Sequence, residues 1–353
     1  MDLEQLKRLP KVALHDHLDG GLRPQTVVDH LGEVGHEIPT TDADLLADWF
    51  YDAANSGSLV QYLQTFDYTV AAMRTRDHLV RVAREAVEDL AADGVVYAEL
   101  RYAPEQHITR DLNLKGIVEA VRDGLQEGME LAAAQGRTIL AKQIVTSMRH
   151  GDPTNEIAEL AIEYRDQGVV GFDIAGAEDG FSAHRFVKVF EFLRRHNFPY
   201  TIHAGEAVGP ESIFDALQVC AARRIGHGVR LVEDIELGGD TPRFGRLAQY
   251  ILDQQIPLEV CPSSNLQTGI ADEIAQHPVG VLHELGFNIS INCDNRLVSG
   301  TTMSREFALV AEAFGWGLDD FRRITVEAMR ASFAHHDEKQ RLLDEIILPG
   351  YAG

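Results

Sequence analysis

The chain has 353 residues, more than one compact domain usually needs but within reach of a single α/β barrel. Hydrophobic residues make up 45% and charged residues 25%, enough to bury a large core, and 55 acidic against 32 basic residues give a formal net charge of −23. A surface that negative repels phosphate backbones and anionic lipid, which argues against nucleic-acid and membrane partners and leaves a small-molecule site open.

The first strand candidate covers residues 11–17. About 75 residues separate it from the second, 95–102, far more than one βα unit needs. That stretch carries Trp49, Phe50, Tyr51, Tyr62, Phe66 and Tyr68. Residues 20–94 are therefore expected to form a helical insertion, a lid over the active-site face, with most of the aromatics packing it onto the barrel. It closes with an amphipathic helix over 78–90, where Leu79, Val82, Ala83, Ala86, Val87 and Leu90 recur at steps of three and four before Gly94. Further strand candidates are 138–147, 169–175, 200–203, 224–228, 257–261 and 288–292. Helical periods occupy 116–134, 185–195, 211–222 and 244–252. The strand runs lack strict alternation, which suits strands buried on both faces of a parallel sheet. Eight of them separated by helices favour an α/β fold of the (β/α)8 TIM-barrel type, with extra helices inserted after strand 1. An open doubly wound sheet usually carries a nucleotide loop, and neither a G-x-G-x-x-G nor a P-loop pattern occurs. No Gly/Ser or Pro-rich linker marks a boundary, so 1–353 reads as a single (β/α)8 domain. Cys220, Cys261 and Cys293 form no C-x-x-C pair and no disulfide framework. Residues 1–7 lack the apolar run of a signal peptide and no segment approaches membrane-spanning length, so the expected location is cytoplasmic.

Ionisable residues stand where the strands stop. Strand 1 ends in His15-Asp16-His17-Leu18-Asp19-Gly20, and a period of two puts His15 and His17 on one side. Strand 5 ends in His203-Ala204-Gly205-Glu206, and strand 6 in Ile225-Gly226-His227-Gly228, whose glycines permit close backbone approach. Strand 8 ends in Asn292-Cys293-Asp294-Asn295. Singly, each residue has an ordinary use, as a hydrogen-bonded core histidine, a helix-start carboxylate, a turn residue or an N-cap. Together, on four strands of one barrel, they converge on the C-terminal mouth, where barrel enzymes keep their chemistry. Burying so many ionisable groups calls for a compensating charge, which a divalent cation supplies. His15, His17 and His203 with Asp294 and no thiolate suit zinc, ahead of iron, cobalt or manganese. A metal-activated water would be a nucleophile at neutral pH, and Glu206 and His227 are left over to move protons and orient it.

These motifs, with Asp173-Ile174-Ala175-Gly176, resemble those of the adenosine deaminase family of the amidohydrolase superfamily, in the family's order and from residue 15 to residue 295. An H-x-H opening is common among amidohydrolases. H-A-G-E followed by G-H-G is far more specific to the adenosine and adenine deaminase branch. The resemblance implies one zinc per chain, held by His15, His17, His203 and Asp294. It implies hydrolytic deamination of a purine nucleoside, adenosine or 2′-deoxyadenosine, to the 6-oxo purine and ammonia by zinc-activated water attacking C6. Glu206 would protonate N1, His227 would orient the water, and Asp294 would also accept the water's proton. The Gly176 N–H would donate to N3, Asp19 would accept from a sugar hydroxyl, and His17 would lie against the substrate. Two positions depart from the family's pattern. Asn295 stands where a second aspartate commonly binds N7, and its amide can donate without titrating. After Gly176, where an acidic residue is common, Ala177 precedes Glu178, a departure with no evident consequence.

Rival readings remain at this point. One is a sibling deaminase acting on free adenine or on a modified nucleoside such as aminodeoxyfutalosine; Asp19 favours a substrate with a ribose. Another is a two-metal amidohydrolase, disfavoured because no lysine ends strand 4. The third is a non-catalytic zinc-binding scaffold on the same barrel, against which Glu206 and His227 argue, since neither is needed to hold zinc. The sequence carries no readable signal for oligomeric state.

Overall fold

The structure, a computed structural model, describes residues 1–239 and 241–352. Eight strands build the barrel: β1 (Lys11–His17), β2 (Val95–Tyr102), β3 (Leu140–Met148), β4 (Val169–Ala175), β5 (Thr201–Ala204), β6 (Arg224–His227), β7 (Leu258–Val260) and β8 (Ile289–Ile291). Neighbours pair in parallel as two four-stranded sheets, β1-β2-β3-β4 and β5-β6-β7-β8. Single bridges, Asp16 with Asp294 and Phe172 with Tyr200, close the two sheets into a barrel. Every residue of β1, β2 and β4 is buried, as expected of strands walled by helices outside and side chains inside. Those three have the bounds read from the sequence. The last four strands are three or four residues long: β5 keeps four residues, displaced by one from 200–203, and the other three are shorter than the runs read from the sequence.

A short helix, α1 (Leu3–Arg8), precedes β1, its first turn capped by the Asp2 carboxylate. Between β1 and β2 lie α2 (Pro24–Val34), α3 (Ala43–Ala54), α4 (Leu59–Leu63), α5 (Phe66–Ala71) and α6 (Arg76–Ala92). Thr75 caps α6 by accepting from the His78 N–H, and the apolar stripe from Leu79 to Leu90 is buried. Trp49, Phe50 and Tyr68 meet edge to face with ring centroids 5.0–6.3 Å apart, holding α3 against α5. Tyr62 and Phe66 do something else and line the barrel's mouth. α7 (Leu114–Ala134) follows β2 and packs on α6.

Three helical periods are less regular than the sequence suggests. The segment 185–195 begins with a 3₁₀ turn and becomes α-helical only at Val187. The segment 211–222 is one α-turn followed by a π-turn over Asp215–Val219. Phe244 belongs to a two-residue antiparallel ladder with Ile235, and the helix starts at Arg246 because the Asp234 carboxylate accepts from Ala248 N at 2.8 Å. Among the described residues, no helix is long and apolar enough to cross a membrane.

Candidate active site

The ends of β1 and β8 are laced by backbone bonds: His17 N–H donates to Asp294 O at 2.6 Å and Asp294 N–H to His15 O at 3.0 Å. Asn292 Oδ1 accepts from the Leu14 and His15 amides at 2.8 and 3.1 Å. This lacing sets His15, His17 and Asp294 side by side. His227 and Asp294, ending β6 and β8, adopt left-handed backbones at φ 63° and 61°, a strain of about 1–3 kcal/mol each that clusters at functional sites. Gly226 is required by close approach, since a Cβ there would sit 3.1 Å from His203 Cα and 3.3 Å from His15 Cε1.

His17 Nε2 lies 3.2 Å from His203 Nε2 and 3.4 Å from Asp294 Oδ1, while His15 Nε2 lies 3.3 Å from the same oxygen. Donor atoms around a tetrahedral cation bonded at about 2.0–2.1 Å stand about 3.3 Å apart, so these spacings would fit one divalent cation. His15 Nε2 is buried and makes no hydrogen bond among the described residues. Imidazole nitrogens gathered this closely around one carboxylate oxygen fit a divalent metal. Burial pushes the His203 imidazole down to about 4 despite Asp173 beside it, leaving it neutral as metal binding requires. Burial also works against charge on Asp294, yet the imidazoles of His15, His17 and His227 hold its carboxyl well below the usual range.

A fourth imidazole complicates the ligand set. The donors of His15, His203, His227 and Asp294 all fall within 4.8 Å of one another, so His227 joins the cluster alongside His17. The opposite ring nitrogens separate the two. His15 Nδ1 is 3.0 Å from Glu259 Oε2, His203 Nδ1 is 2.9 Å from Asp173 Oδ2, and His17 Nδ1 is 3.7 Å from Asp19 Oδ1. A carboxylate behind Nδ1 is the usual support of a metal-ligating histidine. His227 has none. Its Nδ1 meets the Asn265 amide at 3.1 Å and its Nε2 faces Glu206 Oε2 at 3.6 Å.

A cavity of about 350 Å³ opens over this cluster, lined also by Asp19, Gly176, Glu206 and Asn295 and overhung by Leu59, Tyr62, Leu63 and Phe66. Burial, with the Asp294 and Glu178 carboxylates nearby, raises the Glu206 carboxyl well above its ordinary value. Asp19 goes the other way: burial opposes its charge, but His107 and His17 hold it low and ionised. Gly176 sits on the wall at φ 107°, a conformation L side chains rarely adopt. Asn295 Nδ2 donates to the Tyr62 hydroxyl at 2.8 Å, which in turn meets Ser299 Oγ at 3.0 Å.

All nine residues singled out in the sequence, His15, His17, Asp19, Gly176, His203, Glu206, His227, Asp294 and Asn295, thus meet in or beneath one cavity. Several that touch them were missed. Asp173 and Glu259 were legible only as charges inside otherwise apolar strand runs. Ser264, whose hydroxyl donates to Asp294 Oδ2 at 2.6 Å, and Asn265 gave no signal of their own, while Tyr62 and Glu178 stood out only as an insertion aromatic and a displaced acid.

The adenosine deaminase family model matches residues 10–349. Adenosine deaminase 1 of Streptomyces coelicolor is 55% identical over 99% of this chain and 89% of its own. The adenosine deaminase of Mycobacteroides abscessus is 51% identical over 100% of this chain and 98% of its own. Among solved structures, the N6-mAMP deaminase of Arabidopsis superposes with a TM-score of 0.82 at 27% identity, over 96% of this chain and 98% of that one. Matched almost end to end by the family model and by relatives 51–55% identical to it, this chain belongs to the adenosine deaminase family.

Proposed function

We propose that the enzyme is a zinc-dependent adenosine deaminase that converts adenosine or 2′-deoxyadenosine and water into the corresponding 6-oxo nucleoside and ammonia. The observation that carries this reading is the division of labour among the imidazoles. Three have a carboxylate behind Nδ1, while the fourth is backed by an amide and faces a buried acid. His15, His17, His203 and Asp294 would hold one zinc, which supplies a polarised water and positive charge beside the reacting carbon.

The side chains carry the protons. Glu206, kept protonated by burial and by neighbouring carboxylates, gives its proton to N1 of the purine and makes C6 electrophilic. His227, driven neutral by burial and by the adjacent imidazoles, orients the attacking water. Asp294 accepts one proton from that water as its oxygen bonds to C6. The proton then passes to the exocyclic nitrogen, and the C6–N bond breaks with its electron pair leaving on ammonia. The remaining hydroxyl proton returns to Glu206 as the 6-oxo group forms. Around this chemistry the Gly176 N–H donates to N3, the Asn295 amide to N7, and Asp19 accepts from the sugar, with His17 against the substrate. Asp19 supports a ribose-bearing substrate over free adenine, because an ionised buried carboxylate gains from a hydroxyl donor. The helices within residues 20–94 act as the lid, with Leu59, Leu63 and Phe66 shielding the base from bulk water.

The test is ultraviolet spectroscopy on adenosine, 2′-deoxyadenosine, adenine and aminodeoxyfutalosine with metal-analysed enzyme. The expected result is rapid 6-oxo product from the first two, about one zinc per chain, and loss of activity to chelators. Turnover confined to adenine or to aminodeoxyfutalosine would overturn the substrate assignment.

A further inference from the structure

Residues 205–208, the loop that carries Glu206, belong to no helix or strand, so their amides need partners from elsewhere. All four find the same one. Glu178 Oε1 accepts from Gly205 N at 2.7 Å, and Glu178 Oε2 accepts from the amides of Glu206, Ala207 and Val208 at 3.1, 2.6 and 2.9 Å. The Glu178 side chain is 3% exposed, so these charge-assisted bonds are sheltered from water. Glu178 itself stands two residues beyond Gly176, in the loop after β4. The same two loops are tied a second time by Arg149, whose guanidinium donates to His203 O at 3.1 Å and to Phe181 O at 2.8 Å.

We propose that Glu178 is a positioning residue that fixes the carboxyl of Glu206 relative to the Gly176 amide. It thereby sets the spacing of the two groups that address N1 and N3 along one edge of the purine. The inference rests on the roles proposed above for Glu206 and Gly176, and its physical content is a clamp between two loops. No other residue type does this work equally well. Glutamine keeps the shape but turns an N–H toward backbone N–H groups, and aspartate is too short by one methylene to reach all four amides.

The experiment compares wild type, Glu178→Gln, Glu206→Gln and the double variant, each loaded with zinc. Amide hydrogen exchange reads the clamp directly. In Glu178→Gln the amides of residues 205–208 should exchange at least tenfold faster, while the strands keep their protection. Adenosine turnover reads its consequence. A misplacement of about 1 Å costs on the order of 10²-fold, so kcat should fall about 100-fold with zinc content unchanged and KM altered less than kcat. Because Glu178 acts through Glu206, the same substitution in the Glu206→Gln background should cost less than about threefold more. Unchanged exchange at 205–208 overturns the clamp. A full 100-fold loss in the Glu206→Gln background overturns the route through Glu206. Should Glu178→Gln fail to fold, Glu178→Asp carries the same comparison with the charge retained. If the wild type proves inactive on adenosine, the deamination reading falls by that result alone, and exchange still decides the clamp.

Discussion

Arg101 and Arg224, with Glu99, Asp173 and Glu259, form a buried ionic layer against the underside of the imidazole cluster. Arg101 donates to Asp173 Oδ2 at 2.9 Å and to Glu259 Oε2 at 2.8 Å, and Arg224 to Glu259 Oε1 at 2.6 Å and to Glu99 Oε2 at 2.5 Å. Tyr97 and the Phe333 amide take the last Glu99 oxygen, and the Arg224 guanidinium lies 3.6 Å over the Phe333 ring. At the mouth, an equally buried set is left open: His15, His17, His203 and His227 turn nitrogens toward one another and toward Asp294. Burial alone therefore does not separate a structural charge from a functional one. Pairing of opposite charges does: each carboxylate of the layer accepts from an arginine, although Arg101 Nε has no partner among the described residues. The two layers touch at His15 with Glu259 and His203 with Asp173, so the closed layer holds the open one in shape.

The largest effects should come from the open layer. His17→Ala should reduce bound zinc to near zero and turnover below detection. His227→Ala should lose comparable activity and keep its zinc. Metal analysis of the two variants decides which imidazole is the ligand, and loss of zinc from His227→Ala with retention in His17→Ala would reverse the assignment.

Glu206→Gln should lower kcat by about 10²- to 10⁴-fold at unchanged zinc content. It should also act on stability in the opposite direction. A carboxyl whose folded value is raised above 4.5 binds its proton more tightly folded than unfolded, so stability falls as pH rises from that unfolded value toward the folded one. Chelated Glu206→Gln should lack this decline and melt higher than chelated wild type at alkaline pH. Thermal unfolding across pH checks it, and parallel profiles would show that Glu206 is not buried at the expense of stability.

The closed layer should behave differently. Arg101→Met leaves Asp173 and Glu259 short of a partner and should cost about 3–5 kcal/mol in urea unfolding. Because those carboxylates orient His203 and His15, it should also weaken zinc retention by about 10- to 100-fold in chelator competition. A variant that is destabilised yet holds zinc as tightly as wild type would uncouple the two layers.

Smallest are the effects at the rim of the cavity. Asn295→Ala should raise KM for adenosine through loss of the bond to N7, and should leave 7-deazaadenosine, which has no acceptor there, bound as before. Equal losses for both would break the N7 contact. Tyr62→Phe removes only the hydroxyl that orients the Asn295 amide and should cost about 1 kcal/mol, a few-fold in kcat/KM.

Much of this architecture could be read from residues alone, for a definable reason. β1, β2 and β4 announced themselves because strands walled on both sides favour apolar, β-branched runs, and the polar residues that end β1, β5, β6 and β8 cluster where a barrel keeps its site. What stayed hidden depends on pairing between distant segments. Glu259 became an orienter of His15 only once the barrel register set β7 near β1. Glu178 looked like a displaced acid because its four partners are backbone amides some 30 residues away. Tyr62 was one aromatic among six in the insertion, and nothing local distinguished it from Trp49 or Phe50, which merely pack. The irregular turns at 185–195 and 211–222 follow loops to the mouth rather than any helix signal.

The barrel's closure by two single bridges has a mechanical side. The four longer strands and the four shorter ones are separate sheets, and one of the two seams runs through Asp16 and Asp294. A cation held as proposed, by His15 and His17 from the first sheet and by His203 and Asp294 from the second, would work as a rivet across that seam. Removing it would loosen the junction of the sheets before either sheet itself, so the amides of His17 and Asp294 should lose protection ahead of those in the middle of β2 and β3. In such a molecule the metal that activates water would also be a fastener, and loss of the catalyst and opening of the barrel would become one event.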